Sequence, residues 1–433
     1  GFEVNQELID MYTEYSPTRT LAGVGVGFTD WSLPEPPADR YTDELMNNAK
    51  AFSDTAVIVL ARSGGEGQDL PAEMAPGTGR TAMNALGKIL KGTVNPSGRT
   101  VETYIYDQKA TPAYNNYGSF TYDNVDALLE QYTAFDPGFQ GALSFVNYVE
   151  GIYVGYRFYE TACAEAQAGH MTFDYDSVVQ YPFGHGLSYT TFTQEIQNFT
   201  DSGDNVTFDV VVTNTGSVAS KEVVEVYFTP PYNNGGIEKA AVNLVNFAKT
   251  DVLAPGASQT IPFTIPKEDM ASYDSSAIKT ANGGYIRPLQ SRRPRRGRPA
   301  TGAKNGLKLA DMMGKPYDDP DWELLLDQLT PEEMSQLVQI GGFSTVALDS
   351  VGKKATMDSD GTGGLNDWYA GVYGTPYPTE VLIAQTWNKD LAYEVGGAIG
   401  QEYADCHIYG WYGPAMNTHR TAFNGRNFEY YSE

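Results

Sequence analysis

Hydrophobic and polar positions change their pattern three times along the chain. Residues 40–60 read as a helix followed by a strand. The run Thr55-Ala56-Val57-Ile58-Val59-Leu60 is continuously apolar, as in a strand covered on both faces. It gives way to the Gly-rich stretch Ala61-Arg62-Ser63-Gly64-Gly65-Glu66-Gly67, and α/β patterning continues to about Asp176. Between 190 and 280 the pattern becomes that of short strands. Val206–Val212, Val223–Phe228 and Ile261–Thr264 are separated by turn residues such as Asn214-Thr215-Gly216 and Pro255-Gly256, which predicts a small β-sandwich. From Leu307 helical patterning returns. Thr330-Pro331-Glu332-Glu333 forms a capping box with proline at the first helical position, and Gly341-Gly342 closes that helix. A second helix is predicted over Lys389–Asp405. The stretch Met357–Gly364 between the two reads as a loop.

Length and charge narrow the picture. A chain of 433 residues is expected to hold several domains. Acidic residues number 54 against 29 basic ones, a net charge of −25, so phosphate backbones are repelled and nucleic acid is not an expected partner. No apolar run is long enough to cross a bilayer, so no membrane partner is expected. The first residues, Gly1-Phe2-Glu3-Val4, lack the pattern of a secretory signal, which leaves a cytoplasmic or cell-associated location open. Cys163 and Cys406 cannot form a disulfide framework, and four scattered histidines offer no metal-ligand spacing, so neither a metal nor another cofactor is expected. The 30 tyrosines suit packing and equally suit stacking on sugar rings. Residues 287–304 stand apart. They hold Arg287, Arg292, Arg293, Arg295, Arg296 and Arg298 with several prolines, and they are expected to form an exposed connector without a function of its own.

Two carboxylates lie on glycine-rich turns. Glu66 follows the apolar strand at the end where α/β sheets gather ligand-binding groups, although a solvated loop glutamate has the same pattern. Asp360 precedes Gly361, Gly363 and Gly364, where an exposed turn aspartate is the plain alternative. His419-Arg420 and Gly425-Arg426-Asn427-Phe428-Glu429 set guanidinium groups beside a carboxylate, as either a structural ion pair or a substrate clamp.

Longer motifs carry a resemblance. Asn95-Pro96-Ser97-Gly98-Arg99-Thr100, Glu150–Arg157 (EGIYVGYR) and Tyr181–Thr190 (YPFGHGLSYT) resemble the sandwich domain of glycoside hydrolase family 3, and the strands after them resemble its fibronectin-type-III-like domain. Asp358-Ser359-Asp360-Gly361, Ala384-Gln385-Thr386-Trp387-Asn388 and Gly425–Glu433 (GRNFEYYSE) resemble its barrel. The resemblance implies a multidomain α/β plus β fold in an inverted order, which a minority of bacterial β-glucosidases share. Residues 1–190 would be a partial α/β sandwich, 191–286 a fibronectin-III-like β-sandwich, 287–306 a linker, and 307–433 the start of a TIM-like (β/α) barrel. It also implies a retaining exo-β-glucosidase acting on terminal β-D-glucosyl residues. The alternatives are a β-xylosidase or α-L-arabinofuranosidase of the same family, or a non-catalytic carbohydrate-binding module. By the resemblance Glu66 is the acid/base, while Asp360, Arg426 and Arg420 bind the sugar. Thr362 stands where the family often has proline, and Asn366 where it often has arginine. No segment matches the family's nucleophile aspartate, so the chain is expected to be a fragment and inactive by itself. The partner implied is a β-glucoside or oligosaccharide.

Overall fold

A computed structural model describes residues 4–18, 36–53, 83–117, 120–135, 143–233, 235–274, 300–367 and 371–433. The apolar run at 55–60, Glu66 and the arginine-rich stretch all lie outside the described residues.

The first region begins with helices α1 (Gln6–Tyr15) and α2 (Asp43–Phe52), which meet through a 2.8 Å hydrogen bond between the Tyr12 and Tyr41 hydroxyls. Helix α3 (Met83–Leu90) follows. Strand β1 (Tyr104–Ile105) pairs antiparallel with β4 (Val179–Tyr181), and β2 (Phe120–Thr121) with β3 (Ser144–Phe145). Helices α4 (Val125–Phe135), α5 (Tyr156–Gln167) and the single turn α6 (Tyr175–Val178) complete it. Ile105, Tyr159 and Val179 form its core against Phe158 and Phe173.

Five longer strands form the β-sandwich. Strands β5 (Phe192–Ser202), β6 (Asn205–Asn214) and β9 (Ser258–Pro266) make one antiparallel sheet; β7 (Val223–Phe228) and β8 (Asn243–Lys249) make the other. Alternation dictates the packing. Phe208, Val210 and Val212 on β6 are buried at every second position, and they meet Val224, Phe263 and Ile265 between the sheets. Asn214, fully buried at the strand's end, is satisfied on both sides of its amide. It donates to the carbonyls of Val218 and Leu253 at 2.9 and 2.8 Å and accepts from the Thr190 hydroxyl at 2.7 Å.

The last region holds a parallel strand pair. Helices α7 (Asp321–Leu326) and α8 (Pro331–Gln339) come first. The predicted capping box is present on α8: the Thr330 hydroxyl accepts from the Glu333 amide at 3.1 Å, and the Glu333 carboxylate accepts from the Thr330 amide at 2.9 Å. Strand β10 (Ser344–Thr345) pairs antiparallel with β11 (Thr356–Asp360). This corrects the loop expected over Met357–Gly364, whose first four residues are strand. Short strands β12 (Asn366–Asp367) and β13 (Val372–Tyr373), then helices α9 (Glu380–Ala384) and α10 (Lys389–Asp405), lead to β14 (Gly410–Tyr412). Strand β14 lies parallel to β11, with Asp360 opposite Tyr412. The unit β11–α10–β14 is a βαβ crossover, and Leu365, Ile399, Tyr403 and Ile408 pack beneath it.

Trp387 joins all three regions. Its ring is buried between Val101, Phe183, Val223 and Phe247, and its indole donates to the Arg99 carbonyl at 3.2 Å. Beside it the Lys249 ammonium donates to the carbonyls of Ser97 at 2.7 Å and Thr386 at 2.6 Å, and burial lowers its pKa to about 8. Arg99 ion-pairs with Glu222 of the β-sandwich, and its amide donates to the Gln385 carbonyl at 2.9 Å. The motifs NPSGRT, YPFGHG and AQTWN thus meet at one structural junction.

Candidate functional site

Asp360 ends β11 at the carboxyl edge of the parallel pair, where ligand-binding groups collect in α/β folds. Its carboxylate is exposed and accepts from the Gly361 amide at 2.8 Å. The turn is riveted from below. The Tyr403 hydroxyl donates to the Asp360 carbonyl at 2.9 Å, and the Trp411 indole donates to the Gly361 carbonyl at 2.6 Å. Gly361 has φ 132°, and a Cβ there would fall 1.8 Å from the Gly364 carbonyl oxygen, so the turn requires glycine.

Arg420 and Arg426 lie on the segment after β14, and each has a carboxylate partner. Arg420 reaches the first region. Its Nε donates to Glu150, and its guanidinium lies 4.2 Å from the centre of the Tyr148 ring. Burial opposes the charge on Glu150, but the Arg420 contacts outweigh it and hold its carboxyl below the ordinary carboxylate range. Arg426 clasps Glu429 within its own segment. Its Nε is 3.0 Å from both carboxylate oxygens, and its Nη2 is 2.6 Å from one of them.

Other contacts close the same seam. His419 ion-pairs with Glu102, and Phe423 packs against the rings of Tyr114 and Tyr117. The Glu433 carboxylate accepts from the Thr103 hydroxyl at 2.6 Å and the Tyr156 amide at 2.8 Å, and burial pushes its pKa up to about 7. A Cβ at Gly155, whose φ is 58°, would come within 2.3 Å of Glu433. Glu380, at the start of α9, is only 2% exposed. Burial, aided by the Glu429 charge, pushes its pKa up to about 7.

A cleft of about 890 Å³ opens along this seam. Arg420, Asn417 and Asn424 line one wall, Tyr148 and Glu150 a second, and Tyr273 of the β-sandwich side a third. A guanidinium, amides and tyrosine faces of this kind suit a neutral polyol better than an extended anion. The structure therefore brings Arg420 into a cleft shared by three regions, whereas Arg426 and Asp360 do not line that cleft: Arg426 pairs with Glu429 within its own segment, and Asp360 sits at the end of β11. Glu66 lies outside the described residues. Glu102, Glu150 and Glu380 were not singled out from the sequence. Glu150 opens a motif already noted, and its charge before Gly151 was the one available signal; Glu102 and Glu380 have no local signature.

Fold and site define a multidomain protein with a parallel βαβ unit, a fibronectin-like sandwich and a polar cleft between them. Residues 222–286 match the fibronectin type III-like domain. The sequence is 28% identical over 455 residues to β-glucosidase A of Butyrivibrio fibrisolvens, covering 81% of this chain and 51% of that one. It is 25% identical over 559 residues to a β-glucosidase of Ruminococcus albus, covering 100% and 55%. The crystal structure of a Paenibacillus barengoltzii β-glucosidase superposes with a TM-score of 0.75 at 24% identity, covering 99% of this chain and 58% of that one, a likeness of fold. The chain spans about half the length of the curated relatives it matches. Over most of its length the chain is similar to bacterial β-glucosidases.

Proposed function

We propose that the protein serves retaining exo-β-glucosidase chemistry on terminal β-D-glucosyl residues, with residues 1–190, 191–286 and 307–433 as its three domains. The observation that carries this reading is sequence similarity to a β-glucosidase along the whole chain. In this reading Glu66 protonates the departing glycosidic oxygen and then, as carboxylate, activates water. Asp360 accepts hydrogen bonds from the terminal sugar's hydroxyls, and Arg420 and Arg426 supply the cationic side of the sugar site. Tyr148 offers a stacking face. The partner carboxylate of a retaining pair would have to come within ~5–5.5 Å of Glu66, and no residue is assigned to that role.

The test uses protein that turns over an aryl β-glucoside. Glu66→Gln should abolish cleavage of alkyl glucosides, whose leaving groups need a proton. It should spare aryl glucosides in part, and azide should restore some of their turnover as glucosyl azide. Equal rates for the variant and the parent on all substrates would remove Glu66 from the acid/base role.

A further inference from the structure

His419 is 4% exposed, and both of its ring nitrogens face only acceptors. Nε2 lies 2.8 Å from the Asn427 carbonyl oxygen and 3.2 Å from that of Tyr430. Nδ1 meets the carboxylate of Glu102, which lies in the other region more than three hundred residues earlier in the chain. A carbonyl oxygen cannot donate, so Nε2 carries a hydrogen. Nδ1 meets a carboxylate, and an ionised carboxylate cannot donate either, so a hydrogen on Nδ1 would satisfy that contact. Both ring nitrogens are thus placed to donate, as they do in an imidazolium. The His419 amide also donates to the Ser432 carbonyl at 2.9 Å, so this one residue closes the loop 419–432 through backbone and side chain together.

We propose that His419 is a positioning residue: as an imidazolium it braces the loop bearing Arg420 and Arg426 against Glu102, and losing its proton loosens that docking. The proposal rests on the sugar-site reading for its functional consequence, but the brace itself is a property of the fold. A neutral ring would turn a lone pair either toward two carbonyls or toward a carboxylate, and both arrangements repel. The charged and titratable groups around it act in one direction. Glu102 faces it directly, while Glu433 and Tyr104 lie beside Glu102. The Tyr430 ring stands 6.0 Å away, and the neighbouring Arg420 turns off toward Glu150. Burial opposes the charged ring, but Glu102 and the two carbonyls overcome it, and the ring's pKa is raised above its ordinary 6.5. A raised folded-state value means that the brace is fully present below 6.5 and is lost as the pH rises through the folded-state value.

The experiment is a nitrogen-resolved NMR titration of the four imidazoles in the full chain from about pH 5 to about pH 9, with His419→Gln assigning the signal. It needs no turnover, so it stands apart from the glucosidase reading. The expected result is that both nitrogens of His419 are protonated at neutral pH, with a midpoint above 6.5. Glu102→Gln should lower the midpoint, because only the two carbonyls then oppose burial. Hydrogen exchange adds a second readout. Protection of residues 419–432, corrected for intrinsic rates, should fall about tenfold or more as the wild-type ring titrates, and it should lose that pH dependence in His419→Gln. A singly protonated ring at neutral pH would overturn the proposal, and so would the same exchange profile in His419→Gln. If Glu102→Gln fails to fold, the wild-type titration alone decides.

Discussion

The fibronectin-like sandwich and the seam between the first and last regions are held together in different ways. The sandwich is a local structure. Its strands follow one another closely, and its core of Phe208, Val210, Val212, Phe263 and Ile265 is apolar throughout. The seam adds charge and hydrogen bonds to its apolar contacts: Arg420 on Glu150, His419 on Glu102, and Glu433 on Thr103 and the Tyr156 amide. An apolar core is insensitive to protonation, whereas a buried ion pair depends on it. The apolar core of the sandwich is thus indifferent to pH while the joint is not, and the cleft lies at the joint.

A pair of truncations separates the two regions. Phe263→Ala should cost about 3–5 kcal/mol at any pH, because it only removes packing. Arg420→Ala leaves Glu150 buried without its cation and should also cost about 3–5 kcal/mol near neutrality. Without Arg420, burial raises Glu150, so the variant's carboxyl takes up a proton before the parent's as the pH falls, and the Arg420→Ala penalty should shrink at acidic pH while the Phe263→Ala penalty stays. Denaturant unfolding at both pH values checks this. Parallel pH behaviour of the two variants would erase the distinction.

Glu380 gives a smaller effect at the same joint. Its folded-state pKa of about 7 lies above the ordinary 4.5, so the folded state holds the proton more tightly and stability should fall by on the order of 3 kcal/mol as the pH rises from 4.5 through about 7. Glu380→Gln removes the titrating group, and the fall should flatten in thermal melts at acidic and mildly alkaline pH. Unchanged pH dependence in that variant would place the sensitivity elsewhere. Thr330→Ala is the smallest. It removes one arm of the α8 capping box, away from the seam, and should cost about 1 kcal/mol with no pH dependence.

The parts legible in the sequence were those with a short-range cause. Alternation along Val206–Val212 announced β6, Thr330 and Glu333 announced the start of α8, and helical patterning placed α10 at Lys389–Asp405. Strand β11 was missed because Met357-Asp358-Ser359-Asp360 is polar and its parallel partner arrives only at Gly410. The seam was missed for the same reason on a longer scale. Glu102 meets His419, and Glu150 meets Arg420, across roughly three hundred residues, and no periodicity records such a pairing. Asp360 and the two arginines could be named from motif resemblance, but the partners that hold the arginines could not.

The proposed place of Asp360 in a glucose site is open to calorimetric titration with a glucose-configured lactone, a mimic of the flattened transition state. Charged hydrogen bonds are worth ~1.5–3 kcal/mol each, so the parent should bind at least about tenfold more tightly than Asp360→Ala, and a galactose-configured lactone should bind the parent less tightly. Equal affinity of parent and variant, or no binding by the parent, would return Asp360 to an ordinary turn at the end of a strand.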